Sequence, residues 1–488
     1  MESVYRLGAR ERNLALPLAL PLIAAVLFGS LVVFAEVNAA AVSIALLACV
    51  FIMLDFRFGV ICLIVFMPLS SSSMLPHNIG GITGLNPLNL LLVGTLVSWA
   101  LQRLPRGAPA APAPPKALLW LYVMPFLVAS LLGSQHLGET ATPLVALFPL
   151  SFGSPTNYLL SVVIKPLFMV LFAVLVAAAA ARSRQPEQLI VPLLVSVWAM
   201  CLLTIGFAAV SGISLSDLSS SGSRRLLSPL GLHANDLGRL FAIAYALMLY
   251  TFAATKDARL RMALIASMGL VVVALTLTFS RGAFFGFAVV NLLFLLSRRT
   301  PAAFVLSGVV LVAFVLMLPS AVFERIGTGW GNGLNAISSG RVDEIWLPLL
   351  PELLRHPIFG NGLGAIAWSE PMRAGTMQTV GHAHNAYLNA AIDMGLLGLI
   401  LLCAFFLHVW RGFRRLSTDP TVTPTLRGFY AGAAAGLVSF LLAGFFGSSL
   451  TPRPEQFFLW LAIGLMYGQR RSTTTANNSS TSKEPASC

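Results

Sequence analysis

Residues 190–210 read IVPLLVSVWAMCLLTIGFAAV, an unbroken stretch with no charged side chain. A helix needs roughly 20 predominantly apolar residues to cross the hydrocarbon layer of a bilayer. Lipid offers backbone amides no partners, so such a run has to be helical. It has company along the whole chain. About fourteen comparable runs centre near 14–35, 38–54, 58–70, 87–102, 117–134, 158–181, 189–210, 237–255, 262–279, 283–297, 302–318, 387–409, 428–447 and 456–468. The composition agrees: of 488 residues, 57% are hydrophobic and 10% charged, with mean hydropathy +0.83. A soluble domain averages about 25% charged. A membrane β-barrel would alternate in ten-residue segments, and the sequence does not. The expected fold is therefore all-α, a polytopic transmembrane helical bundle of about 12–14 spans.

The net charge of +13 reads as cytoplasmic Lys/Arg bias rather than nucleic-acid binding. With the N-terminus in the cytoplasm, every even-numbered span ends there. Those ends carry Arg57, then Arg103, Arg106 and Lys116, then Arg182 and Arg184. Lys256, Arg259 and Arg261 follow, then Arg298 and Arg299, then Arg411, Arg414 and Arg415, and finally Arg470, Arg471 and Lys483 in the tail. All obey the positive-inside rule. Arg6, Arg10 and Arg12 ahead of the first run resemble a signal peptide, but no small-residue cleavage site follows, so an uncleaved first helix is expected.

This topology puts four features outside: the loop 71–86, the Ser/Gly-rich loop 211–236, the turn Ser280-Arg281-Gly282, and the segment 319–386. The last is too long for a simple connection and is a functional candidate by length. Within it, Arg341 leads into Leu349, Leu350, Leu353 and Leu354 at amphipathic spacing. The chain divides into a transmembrane bundle over 1–210, a membrane domain over 211–468 that includes the periplasmic segment 319–386, and a disordered cytoplasmic tail over 469–488.

Cys49, Cys62, Cys201 and Cys403 sit in apolar runs and Cys488 ends the chain, without metal or redox spacing. No nucleotide-binding loop is present. The densest polar constellation is Gly381-His382-Ala383-His384-Asn385. Downstream lie Gly395 and Gly398, read as sites of close helix packing; upstream lie Arg341 and His356-Pro357-Ile-Phe-Gly360-Asn361-Gly362-Leu-Gly364. His356 reads as part of a turn.

The pattern Gly340-Arg341 with Trp346, then His356-Pro357 with its glycines, then His384-Asn385 with Gly395 and Gly398, resembles the O-antigen ligase and polymerase superfamily. Ser280-Arg281-Gly282 is similar to that family's Ser-Arg-Gly at a helix end. Arg224-Arg225, ahead of Leu232-His233-Ala-Asn235, resembles its arginine-bearing loop. The resemblance is strongest over about 275–400.

What the resemblance implies is a GT-C-like, metal-independent glycosyltransferase without cofactor in the bacterial inner membrane, with both termini cytoplasmic. It would move a glycan from undecaprenyl diphosphate to an acceptor hydroxyl on the periplasmic face. The acceptor would be another glycan, in a polymerase for O-antigen or exopolysaccharide, or lipid A–core, in a ligase. Membrane lipids and polysaccharide assembly proteins are its expected neighbours. Arginine suits the diphosphate, because its planar fork matches phosphate oxygens. Histidine suits proton removal from the acceptor. Arg281 and Arg225 or Arg224 are therefore assigned to the donor, His384 to the base, Asn385 to orienting it or the acceptor, Arg341 to phosphate or sugar, and His382 as the second candidate base. Lys165, a cation near the outer end of span six, is a candidate for lipid phosphate.

Each residue also has a plainer account. Arg281 could snorkel at a helix end. Arg224 and Arg225 could be a solvated pair, and His384 a surface histidine. His382 and His384 two apart would need further ligands to hold a metal. The rival functions are a flippase for lipid-linked glycans, which calls for mid-membrane charges, and a non-catalytic assembly subunit.

Overall fold

The computed structural model describes residues 37–73, 78–79, 82–83, 86–102, 115–210, 227, 229–298, 300–317, 323, 327, 333–447 and 449–481. The first expected span, Arg224 and Arg225 lie outside them. The chain forms two compact units, 1–109 and 110–488. The boundary drawn from sequence at 210 falls inside the second.

In the first unit, α1 (Val37–Leu54) and α2 (Phe56–Phe66) are separated at Asp55, and α3 spans Pro87–Leu101. Asp55 accepts the Arg57 N–H at 2.9 Å and pairs with its guanidinium, which stops one helix and starts the next. Asn86 caps α3 by accepting the Asn89 N–H at 2.8 Å, with Pro87 at the first position. Ser98 on α3 donates to the Ile52 carbonyl of α1 at 2.5 Å, the kind of polar tie that joins helices in lipid. A two-residue antiparallel ladder pairs Asn78–Ile79 with Ile82–Thr83.

The second unit carries α4 (Lys116–Ser134), α5 (Pro155–Arg182), α6 (Pro186–Val210), α7 (Ala234–Ala254), α8 (Ala258–Thr276) and α9 (Arg281–Arg298). Then come α10 (Pro301–Met317), α11 (Leu347–Arg355), α12 (Ala386–Thr418), α13 (Pro424–Phe446) and α14 (Phe457–Thr481). Among the described residues, the eight helices α4–α9, α12 and α13 are long and apolar enough to cross a membrane. Every span expected from the second onward falls on a helix, so the chain is an all-α polytopic bundle. The last helix reaches into the segment expected as a tail.

Helix α7 is the axis: 83% of its apolar window is buried, against 39% for α5, α8 and α9. Gly428 and Gly432 lay α13 directly on the α7 backbone at Tyr250–Thr251 and Ala246–Leu247. Gly464 and Gly468 do the same for α14 on α5. Small residues let helices approach where lipid supplies no hydrophobic drive.

Helix α12 is broken. Gly395 has φ +69° and ψ −179°, open only to glycine. The sequence reading of Gly395 as a packing glycine is therefore corrected: it is the break. The loop 357–364 fills the gap. Leu396 and Leu397 N–H donate to the Pro357 and Ile358 carbonyls at 2.7 and 3.2 Å, and Asn361 and Gly362 N–H to those of Ile392 and Asp393 at 2.8 and 3.0 Å. Leu363 N–H adds a bond to Ala129 of α4 at 2.7 Å. Irregular backbone inside a spanning helix survives only where protein replaces the lost partners.

Candidate functional site

Helix α8 ends at Thr276, and a tight turn reverses the chain into α9. Phe279 takes φ +47°, and the buried Ser280 accepts the Ala283 N–H at 3.3 Å, so Arg281 opens α9. Gly238 of α7 packs on this turn; a Cβ there would run into Ala283. The Arg281 guanidinium donates to Ser339 Oγ at 2.6 Å. Ser339 has φ +60° and Gly340 φ +82°, and Arg341 then opens the π-helical turn Val342–Trp346.

That turn is fastened to the histidine loop. Trp346 Nε1 donates to the Ala383 carbonyl at 2.8 Å, and the Gln378 N–H to the Glu344 carbonyl at 3.1 Å. His384 has φ +52°. Its N–H donates to Nδ1 of His382 at 3.2 Å, and the two rings lie 4.1 Å apart between centroids. Asn385 accepts the Tyr387 and Leu388 N–H groups at 3.0 and 3.1 Å. It is the N-cap of α12, a local duty that accounts for its place beside the histidine without any contact to a substrate.

Among the described residues, Phe279, Ser339 and His384 are the non-glycine residues with left-handed backbone, and all three belong to this site. Such conformations cost on the order of 1–3 kcal/mol each and persist where surrounding structure enforces them.

The start of α7 supplies groups the sequence reading passed over. His233 caps it, accepting the Asn235 N–H at 3.2 Å through Nδ1. Arg239, with a side chain 7% exposed, pairs with Asp236 and lies 4.0 Å from Glu455. Glu455 is buried ahead of α14, and burial followed by the nearby Asp236 pushes its carboxyl upward. A signal existed: Asp236 and Arg239 stand at the head of an apolar run, where ionisable residues deserve a functional hypothesis.

The electrostatic pattern joins these pieces. Burial first, then the Arg341 charge, pulls the His384 imidazole from 6.5 down to about 4; His233 and Arg239 add to the fall and Asp236 opposes it. His382 is lowered further, by burial and then by His384, Arg453, Arg239 and Arg341. Both rings keep a solvent-accessible edge. Arg341, His382 and His384 thus share one field with Arg239 and Arg453, and Arg281 reaches the same place through Ser339. The starts of α7, α9 and α12, each capped by its own side chain, supply groups here, and Arg453 and Glu455 come from the turn ahead of α14.

Two sequence candidates fall elsewhere. Lys165 is exposed on α5 at the junction with the π-helical stretch Leu159–Ile164, and it enters none of these contacts. His356 is exposed at the end of α11, as a turn residue would be. A groove of about 770 Å³ lies at the opposite end of the bundle, lined by Glu187, Leu194, Trp198, Asp257 and Arg259. No histidine lines it.

Residues 264–403 match the family model described as O-antigen ligase. The matched stretch runs from within α8 to within α12 and contains Arg281, Arg341, His382 and His384. It belongs to the O-antigen ligase superfamily. No curated protein matches the chain. With its apolar helices, the family makes this a multi-pass bacterial membrane protein of O-antigen ligase or polymerase type. The family indicates glycan transfer in the membrane and implies a lipid-linked glycan and a polysaccharide acceptor as substrates. His233, Asp236, Arg239, Arg453 and Glu455 lie outside the matched residues, so the ligase-family domain is completed by helices on either side of it.

Proposed function

We infer that the protein transfers a glycan from undecaprenyl diphosphate to an acceptor hydroxyl at the periplasmic face of the inner membrane. The observation that carries this reading is His384, held neutral in strained backbone beside Arg341. The positive-inside pattern of the loops supports the outward placement of that end.

The reaction needs charge neutralised on a departing diphosphate and a proton removed from the attacking oxygen. Acceptor oxygen bonds to the anomeric carbon, the bond from that carbon to the phosphate oxygen breaks, and His384 receives the proton. Undecaprenyl diphosphate leaves, and the proton passes to water afterwards. Arg281 and Arg341 are the diphosphate ligands, with Arg239 and Arg453 adding field from behind. Preorganised charge in a partly dry site stabilises a transition state far more than the same charge in water. A base of this kind contributes about 10²–10⁴-fold in rate.

A pKa of about 4 makes His384 available but weak in the empty site. The second-largest cause of that depression is Arg341, and an arriving diphosphate cancels cationic field. Donor binding therefore raises the basicity of His384 as it brings in the leaving group. Arg224 and Arg225, in the loop outside the described residues, are further candidates for the diphosphate, and Lys165 for lipid phosphate. Polymerase and ligase share this chemistry and differ only in acceptor. Helices α1–α3 ahead of the second unit favour the polymerase reading slightly.

The test is transfer by purified protein in liposomes with a defined undecaprenyl-diphosphate glycan. His384→Ala and Arg281→Ala are each expected to abolish product while protein accumulates normally. Turnover at the wild-type level in either one would refute the assignment. Deleting the gene separates the two reactions: single repeats left on core mean a polymerase, and accumulated full-length lipid-linked chains mean a ligase.

A further inference from the structure

His384 is held from behind by a buried relay that no part of the proposed chemistry uses. Asp393 lies two turns into α12, 3% exposed, where an unpaired carboxylate would be costly. Its Oδ1 accepts the N–H groups of Gly364 and Ala365 at 3.1 and 3.0 Å. Its Oδ2 accepts from Asn389 Nδ2 at 2.8 Å. Asn389 turns its own Oδ1 to the Ala383 N–H at 3.1 Å. The Ala383 carbonyl is already taken by Trp346. Both backbone faces of the residue before His384 are thereby fixed, one from each side.

The chain of bonds has a direction. Asp393 as a carboxylate can only accept, so the Asn389 amide must donate to it, and its oxygen is left to face Ala383. The Ala383 N–H, which can only donate, demands the same orientation from the other end, so the two contacts agree on which way round the amide sits. The outcome is His384 at φ +52°, a conformation a histidine adopts only under constraint. The same carboxylate pins the 357–365 loop into the break at Gly395. One buried group therefore ties the plug of the broken helix to the histidine loop.

We propose that Asn389 and Asp393 are positioning residues for glycan transfer, which hold His384 in its strained setting next to Arg341 through the Ala383 backbone. This rests on the reading of His384 as the base. Neither residue touches substrate in it. Their work is to keep the imidazole within the field of Arg341, His233, Asp236, Arg239 and His382 while the reaction proceeds. Preorganisation of a reacting group by its supporting shell is what separates a present site from a working one.

The experiment measures kcat, KM and the pH dependence of kcat/KM in liposomes with the same defined donor, for the wild type, Asn389→Ala, Asp393→Asn, the paired exchange Asn389→Asp with Asp393→Asn, and His384→Ala. Asn389→Ala is expected to lower kcat about tenfold or more with KM within about twofold. It also frees His384 towards water and away from Arg341. The acid limb of kcat/KM, which reports the empty site and falls as the base protonates with falling pH, then moves up from near 4 towards 6.5. Asp393→Asn turns two amide groups towards each other and lowers kcat likewise. The paired exchange restores a donor at 393, an acceptor at 389 and the acceptor for Gly364 and Ala365, so it recovers most of the rate. A purely structural role predicts instead a loss of folded protein with kcat per folded molecule and the acid limb unmoved, and that result overturns the proposal. So does a paired exchange no better than Asp393→Asn alone. Activity persisting in His384→Ala removes the base itself, and the relay falls with it by a result the other variants cannot produce.

Discussion

Two acid–arginine pairs stand at the heads of consecutive helices, and they behave in opposite ways. Asp257 opens α8 and accepts the Arg259 and Leu260 N–H groups at 2.9 and 3.4 Å, while the Arg259 side chain stays in the open at the lip of the groove. Asp236 opens α7 and grips the Arg239 guanidinium, which is buried against Gly447 and shared with Glu455. The first pair is a helix cap. The second is a fixed charge under a pair of histidines. In the sequence they differ by one residue of spacing; in the molecule they lie at opposite ends of the bundle, and burial decides the difference. The end with the groove is relaxed and capped. The end with the two histidines is crowded, left-handed at three residues and rich in charge.

The sharpest way to break this contrast is to remove each arginine in turn. Arg239→Ala leaves Asp236 and the buried Glu455 without their cation. Removing one partner of a buried pair costs about 3–5 kcal/mol. Arg259→Ala removes an exposed charge, and surface substitutions stay within about 0.5 kcal/mol. Thermal unfolding in detergent should show a fall of many degrees for the first and almost none for the second. Equal midpoints for the two variants would mean that the buried network is not holding α7 to α14.

The next effect comes from the two kinds of glycine. At Gly395 an alanine meets both a forbidden backbone region and the Ile358 carbonyl, at a cost of about 3 kcal/mol or more. At Gly269, in the middle of α8, a Cβ meets nothing within 4 Å. There alanine gains up to about 1 kcal/mol of helix propensity. Gly395→Ala should also lower transfer, because straightening α12 expels the loop that Asp393 holds. The measurement is again unfolding midpoint, paired with transfer rate. A stable, active Gly395→Ala would show that the break in α12 is dispensable.

The glycines also mark where reading the sequence stops. Apolar runs locate thirteen helices, α1–α10 and α12–α14, because lateral burial in lipid depends on composition alone. The same bookkeeping hides the break in α12, since Gly395-Leu-Leu-Gly398 reads as helix whichever sign φ takes. Arg281, Arg341, His382 and His384 stand out as candidates by motif spacing. Arg239, Arg453 and Glu455 do not, because their meaning comes from each other: Arg239 and Glu455 are more than 200 residues apart in the chain. Hydropathy records what each side chain costs in lipid and is silent about which partner offsets it. Asn385 has a duty that motif spacing did not show, capping α12.

The smallest expected effect tests how Arg281 is aimed. Its guanidinium reaches Ser339 Oγ at 2.6 Å, and Ser339 stands two residues before Arg341. Ser339 adopts φ +60° although it is not glycine. That strain is stored in the turn between Arg281's partner and Arg341, so in the proposed reaction the contact would set the spacing of the two arginines. Ser339→Ala deletes the hydroxyl and keeps the backbone strain. A hydrogen bond to a charged group is worth about 1.5–3 kcal/mol, and this one is exposed, so about 1 kcal/mol at most, or up to a fivefold loss in transfer, is expected. Ser339→Gly deletes the same hydroxyl but relaxes the backbone. If aiming depends on the bond alone, the two variants lose rate equally. If it depends on the strained turn, Ser339→Gly loses more, although it is the more comfortable residue for that conformation. Titrating the donor separates the cases further: a misaimed Arg281 raises KM when it grips the diphosphate of the ground state, and lowers kcat alone when it meets only the charge that develops as the sugar departs.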